Sequence, residues 1–152
     1  MAPNDTQESG LSIAELFEIL TRPERLPLEG GLAWPQGDFE LDMRNHAIAM
    51  SLDDYSSLSM TITRQSEQWV VMAPIAPLAA VASPERFNAM ALRLGMAIPL
   101  ASIGLTEING QDYYVAYGQL FAESKPASIC SELHATAGAA LQAAELLQDE
   151  LR

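Results

Sequence analysis

Apolar residues along this chain recur at helical spacing in three stretches and at alternate positions in between, and each change of period marks an element. Ile13, Leu16, Phe17 and Leu20 fall on one helical face. Ser12 with Glu15 forms a capping box, and Leu11 and Leu16 stand as a hydrophobic staple, so a first helix is predicted from near Leu11, closing before Pro23. The following TRPERLPLEGGLAWPQGD is dense in Pro and Gly and reads as a connecting loop. From Phe39 the period becomes two. Phe39, Leu41 and Met43 alternate with acids, and Ile48, Met50 and Leu52 follow a break at Arg44-Asn45, which predicts a hairpin. Leu58, Met60 and Ile62 alternate with Ser and Thr in a third strand. A fourth, Trp69 to Ile75, is apolar on both faces and is expected to end at Pro74 and Pro77, residues that discourage an interior sheet position there.

Ser83-Pro84 then reads as a cap and first helical residue, and Phe87, Met90, Ala91 and Leu94 give a second helix stopping near Ala97 to Pro99. Ile103 to Ile108 and Tyr113 to Phe121 flank Asn109-Gly110, the strongest short hairpin signal, with Gln111-Asp112 able to lengthen the loop. Past Pro126 an alanine-rich run places Ile129, Leu133, Ala137, Leu141, Ala144 and Leu151 on one side of a long closing helix. Helices separated by groups of strands exclude a doubly wound βαβ fold. They predict an α+β domain with a single antiparallel β-sheet and three main helices, in the order α-β-β-β-β-α-β-β-α. Residues 1–10 are polar and without period and are expected to be a disordered leader, with one domain over 11–152.

Composition narrows the partners. An apolar content of 49% over 152 residues is enough for one sizeable core. Twenty acids against eight bases leave a net charge of −12, a field that repels nucleic-acid phosphates and anionic headgroups and permits a basic partner. No apolar run is long enough to span a bilayer, and the start MAPNDTQESG lacks the pattern of a secretory signal. The lone Cys130 agrees with a reducing compartment, and the expected location is cytoplasmic.

The inventory for chemistry is thin. His46 sits at a predicted turn and His134 on the last helix, and with one Cys a His/Cys zinc site is not expected. Asp53-Asp54 offers paired carboxylates, although adjacent acids at a loop are ordinarily a solvated turn. Cys130 near a helix start has a lowered pKa if exposed, whereas free Cys is commonly buried as a small hydrophobe. No Ser stands in a G-x-S-x-G context. Met43, Met50, Met60, Met72, Met90 and Met96 spread over strands and the second helix, as core filler or as adaptable pockets. Tyr113 and Tyr114, adjacent in a strand, must point to opposite faces, one to core and one to surface. Gly104 and Gly118 suggest bulges or a close approach by another group.

PLASIGL at Pro99–Leu105, GQDYY at Gly110–Tyr114 and YGQL ending at Leu120 together resemble the YjfI-like bacterial family. Ala101 and Ile103 depart conservatively from that family's PLSNFGI, GQDYY matches as it stands, and the resemblance extends over most of the chain after Leu11. It implies the fold of the type III secretion chaperones, which are acidic α+β dimers that hold unfolded stretches of a client. It implies no catalytic residue and no cofactor. The family's neighbouring genes encode proteins similar to the phage-shock protein PspA, which makes a PspA-like partner an implied one.

Residues and resemblance together give the expectation of a non-enzymatic protein-binding domain, chaperone-like or adaptor, that forms a homodimer. Phe87, Met90, Leu94, Tyr113 and Tyr117 are the candidate dimer contacts. Leu58, Met60, Ile62, Phe17 and Leu20 are the candidate client contacts, with Leu58 to Thr63 taken as an edge strand free of Lys. The alternative is a small-molecule-sensing or hydrolytic domain using Asp53, Asp54, His46 or Cys130, which requires those side chains to converge.

Overall fold

The structure, a computed structural model, describes residues 10–25 and 27–151. Of the leader expected at 1–10, only Gly10 is among them, with φ 93° and its Cα so close to the Ala122 carbonyl that no side chain fits. Helix α1 (Ile13–Thr21) carries the expected capping box: Ser12 N–H donates to Glu15 Oε1 and Glu15 N–H to Ser12 Oγ, both at 3.1 Å. It buries Ile13, Leu16 and Leu20.

Six strands follow the period-two stretches: β1 (Gly37–Asp42), β2 (Ala47–Leu52), β3 (Leu58–Arg64), β4 (Gln68–Pro77), β5 (Ser102–Ile108) and β6 (Gln111–Phe121). They form one antiparallel sheet in the order β1-β2-β3-β4-β6-β5. The outer strands are therefore β1 and β5, while the Leu58–Thr63 stretch lies inside, bonded on both sides, and is not an edge. Asn109 (φ 51°) and Gly110 (φ 80°) are both left-handed in a two-residue turn between Ile108 and Gln111, so Gln111 and Asp112 belong to the strand and do not lengthen the loop. Strand β4 runs past Pro74 to Pro77 with an irregularity between Pro74 and Ala76. Proline is tolerated there because β3 pairing reaches only Met72, leaving that end of β4 bonded on the β6 side alone.

Register divides the side chains cleanly. Ile48, Ile62, Val71 and Gly118 lie in one row and Met50 and Met60 in the next, and with Leu52, Trp69, Ala73 and Ala116 they face the helices in a single core. Helix α3 (Pro126–Leu147) crosses β4 and β6 on this face. Its buried stripe is Ile129, Leu133, Ala137, Ala140, Ala143 and Leu147, not the expected Leu141 and Ala144, because every four-residue step turns about 40° past a full turn. Leu151 lies beyond the helix and bridges Val81. Helix α2 (Pro84–Ala97) starts with Pro84 as expected, but Ser83 supplies only its carbonyl, to Phe87 N–H, and no side-chain cap. Phe87 stands edge-on to Tyr114 at 4.5 Å in a second, smaller cluster with Val81 and Leu147.

Candidate protein-binding surfaces

The residues of the hydrolytic alternative do not meet. His46 closes the β1–β2 turn and is exposed, held left-handed at φ 49°. Asp53 and Asp54 form a 3₁₀ turn at the other end of β2, so roughly 20 Å of strand separates them from His46. Cys130 is buried, its Sγ donating to the Ala33 carbonyl at 3.3 Å, and burial pushes the thiol up to about 11, away from the reactive thiolate. Among the described residues no group of three His, Cys, Asp or Glu is placed to hold a metal ion. Asp53 does line a cleft of about 570 Å³ with Arg22, Arg25, Trp34, Asp38 and Phe39, but neither histidine reaches it.

His134 has a role that its position on a helix did not reveal. Its Nε2–H donates to Ala33 O at 2.7 Å, since a carbonyl can only accept, and Nδ1 then accepts from Tyr55 Oη at 2.7 Å. One ring so ties α3 to the Ala33 segment and to the turn after β2. Burial raises the Tyr55 hydroxyl pKa, helped by nearby Asp54, and keeps it a proton donor. This is a structural clasp, fully occupied by its own bonds.

The proposed contact residues fall mostly inside the protein. Met60, Ile62 and Leu20 are core residues, and Leu58 and Phe17 are half-buried against that core, because odd–even alternation turns this set of β3 toward α1 and α3. None of the five forms an open client surface. Phe87 is fully buried on Tyr114, Leu94 packs on the core, and Met90 is half-buried. Tyr113 and Tyr117 remain partly exposed, and Tyr114 takes the core position of the tyrosine pair, its Oη donating to Asn88 Oδ1.

What is exposed and apolar lies elsewhere on the same two elements. Leu92 (73% exposed) and Met96 (91%) stand one turn apart on the outer face of α2, and Leu105 (50%) lies on β5. Leu100 (69%) sits between them at φ 68°, the centre of a tight turn closed by Ala101 N–H to Pro99 O. Leu92 and Leu105 border a groove of about 230 Å³ with Ala91, Ile103 and Tyr114 as its walls and floor. The outer backbone edge of β5 is unpaired beside it. Across α2 and β5, Glu85 and Glu107 are equalled in number by Arg86 and Arg93, with Glu150 bound to Arg86 and Asp112 paired opposite Glu107. The sequence signal was present: Leu92 and Met96 are apolar yet lie off the Phe87–Ala91–Leu94 stripe.

A six-stranded antiparallel sheet with three helices on one face is a type III secretion chaperone-like fold. One chain of the ExsC–ExsE complex superimposes with a TM-score of 0.51 at 16% identity, over 74% of this chain and 83% of that one. YbjN from E. coli does so at 0.51 and 13%, over 76% and 86%. The HopA1–SchA chaperone–effector complex gives 0.49 at 17%, over 68% and 77%. Residues 34–151 match the family described as "Uncharacterized protein conserved in bacteria (DUF2170)", and the chain belongs to it. The match begins after α1, later than the Leu11 expected from the motifs. YjfI of Escherichia coli (strain K12) is 26% identical over 115 residues, 76% of this chain and 86% of YjfI, and the YjfI of Escherichia coli O157:H7 aligns equally.

Proposed function

We propose that this chain is a non-enzymatic protein-binding domain, an adaptor or chaperone-like binder, that acts in the cytoplasm as a homodimer. The observation that carries the reading is the apolar groove between α2 and β5, with Leu92, Met96, Leu100 and Leu105 exposed beside an unpaired strand edge. Leu92 and Leu105 share one apolar groove, and clustered apolar exposure of this kind marks interaction sites. An edge strand offers a row of free donors and acceptors, and flanking apolar side chains make pairing there favourable. That the ExsC–ExsE neighbour is a two-protein assembly is in keeping with a binding role. A PspA-like protein is a candidate partner through the family resemblance. Light scattering at micromolar concentration tests the dimer: twice the chain mass is expected, and a monomer mass refutes it. Affinity capture from native cytosol with mass spectrometry tests the binding role. A partner retained by the wild-type chain and lost by a Leu92→Asp/Leu105→Asp variant supports the reading, and recovery of no specific protein by either sinks it.

A further inference from the structure

We propose that the face of the sheet opposite the helices is a docking platform for an amphipathic α-helix of a partner protein, one with Lys or Arg along one flank. This rests on the protein-binding reading and gives it a second surface, separate from the β5 edge.

The platform is built by register. Asp42, Ala47, Thr63, Val70 and Gln119 form one row across it, and Glu40, Ala49, Thr61, Met72 and Tyr117 the next. Both rows lie on the side of the sheet away from α1 and α3, and Ala49, Thr61 and Gln119 are exposed. The two halves differ in chemistry. On β4 and β6 the face carries Val70, Met72, Tyr117 and, at its end, Phe121, which is 76% exposed. On β1 it carries only acids, Asp38, Glu40 and Asp42, all exposed, and between the halves lie Ala, Ser and Thr side chains too short to block an approach. Bonds from the Asn45 side chain and backbone hold the Asp42 carboxyl below its usual range, so it is charged. Arg64, the one basic residue within the six strands, points to the covered face, over Trp69 at 5.4 Å, and Arg44 stands in the turn at one end of the acidic border.

The occupant follows from geometry and charge. Backbone groups of β2, β3 and β4 within the ladders are already paired, so a ligand on this face meets side chains alone, and an added strand would find bonds only at the edges. A helix meets side chains with one stripe. From β4 to β1 is three strand spacings, about 14 Å, so a helix about 10–12 Å wide laid over the short side chains of β2 and β3 sets its apolar stripe beside Val70 and Met72 and turns a basic flank toward Asp38, Glu40 and Asp42. A second copy is not the ligand that this charge selects. Its α1 and α3 contain no Lys or Arg, and α2 offers only Arg86, held by its own Glu150 at 3.1 Å, and a single Arg93, too few for a basic flank along three acids.

The test uses two synthetic Ala-rich helical peptides with the same Leu stripe, one flanked by Lys and one by Glu, titrated into the isotope-labelled full chain. The Lys peptide is expected to shift the amides of Thr61, Val70, Met72 and Tyr117 and to bind at least about tenfold more tightly than the Glu peptide. An Asp38→Asn/Glu40→Gln/Asp42→Asn variant, altered only at exposed positions, should remove that preference while its circular dichroism stays unchanged. Shifts confined to Leu92, Leu105 and their neighbours, or a preference that survives the triple variant, would overturn the platform while leaving the β5 binding reading intact. So would no binding by either peptide, or shifts of the platform amides on simple dilution, which would mark a self-contact. Failure of the binding reading itself shows separately, as recovery of no specific protein when the wild-type chain is used for affinity capture.

Discussion

The two edges of this sheet meet solvent in opposite ways. At β1 the side chains on the uncovered face are Asp38, Glu40 and Asp42, and those on the other face, Phe39 and Leu41, are half-buried against the core beside α1. At β5 the neighbouring helix leaves Leu105 uncovered and adds Leu92 and Met96 to the open surface. Both edges expose the same backbone groups, so the difference lies in the side chains. A row of like charges discourages another strand of an acidic protein from pairing, and an apolar border invites one. Edge geometry alone therefore does not name an interface. The chemistry beside it does.

Breaking the core under α2 should have the largest effect. Phe87 is fully buried on Tyr114, and Phe87→Ala is expected to cost about 3–5 kcal/mol in urea unfolding, against within about 0.5 kcal/mol for the exposed Leu92→Ser on the same helix. Equal costs would mean that the two faces of α2 are not distinct. Next comes the edge itself. Leu105→Lys places a charge beside the unpaired strand and is expected to weaken self-association about a hundredfold, read as a shift from dimer to monomer mass on dilution, with the melting temperature of the monomer little changed.

A third test concerns Glu132, which α3 buries over Gly118, where a Cβ would collide with the carboxylate. Burial raises its pKa, opposed only by a 3.5 Å bond from Thr136 Oγ1. The folded state thus holds the proton more firmly than the unfolded chain. This contribution to stability is complete below the ordinary glutamate range and is lost as pH rises through the raised value. Glu132→Gln should flatten that fall and be the more stable protein at neutral pH. A wild-type stability that does not decline over this window relative to the variant would contradict the argument. The smallest stability effect is expected at β1, where Glu40→Val should change unfolding by no more than about 0.5 kcal/mol yet promote concentration-dependent association by removing one guard of that edge. If Glu40→Val stays as soluble and as monodisperse as wild type, the charge is not what protects β1.

The elements themselves were legible along the chain because their causes are local. Ser12 and Glu15 cap a helix through bonds three residues apart, Asn109 and Gly110 accept the left-handed angles of a two-residue turn, and alternation in β2 and β3 separates core from surface. The element order and the antiparallel α+β class follow from these. Alternation says which residues share a face, not which strand lies alongside, and so Leu58–Thr63 reads equally well as an edge or as the interior strand that it is. Helical spacing likewise shows that α2 has an apolar stripe without showing whether Leu92 and Met96, outside it, find cover. Strand order, the pairing of β4 with β6 and the seat of α3 are long-range choices made by whole surfaces packing at once. Only the tertiary structure decided that Met60 and Ile62 lie under helices, that His134 clasps Tyr55 to Ala33, and that one sheet edge is guarded by charge while the other stands open.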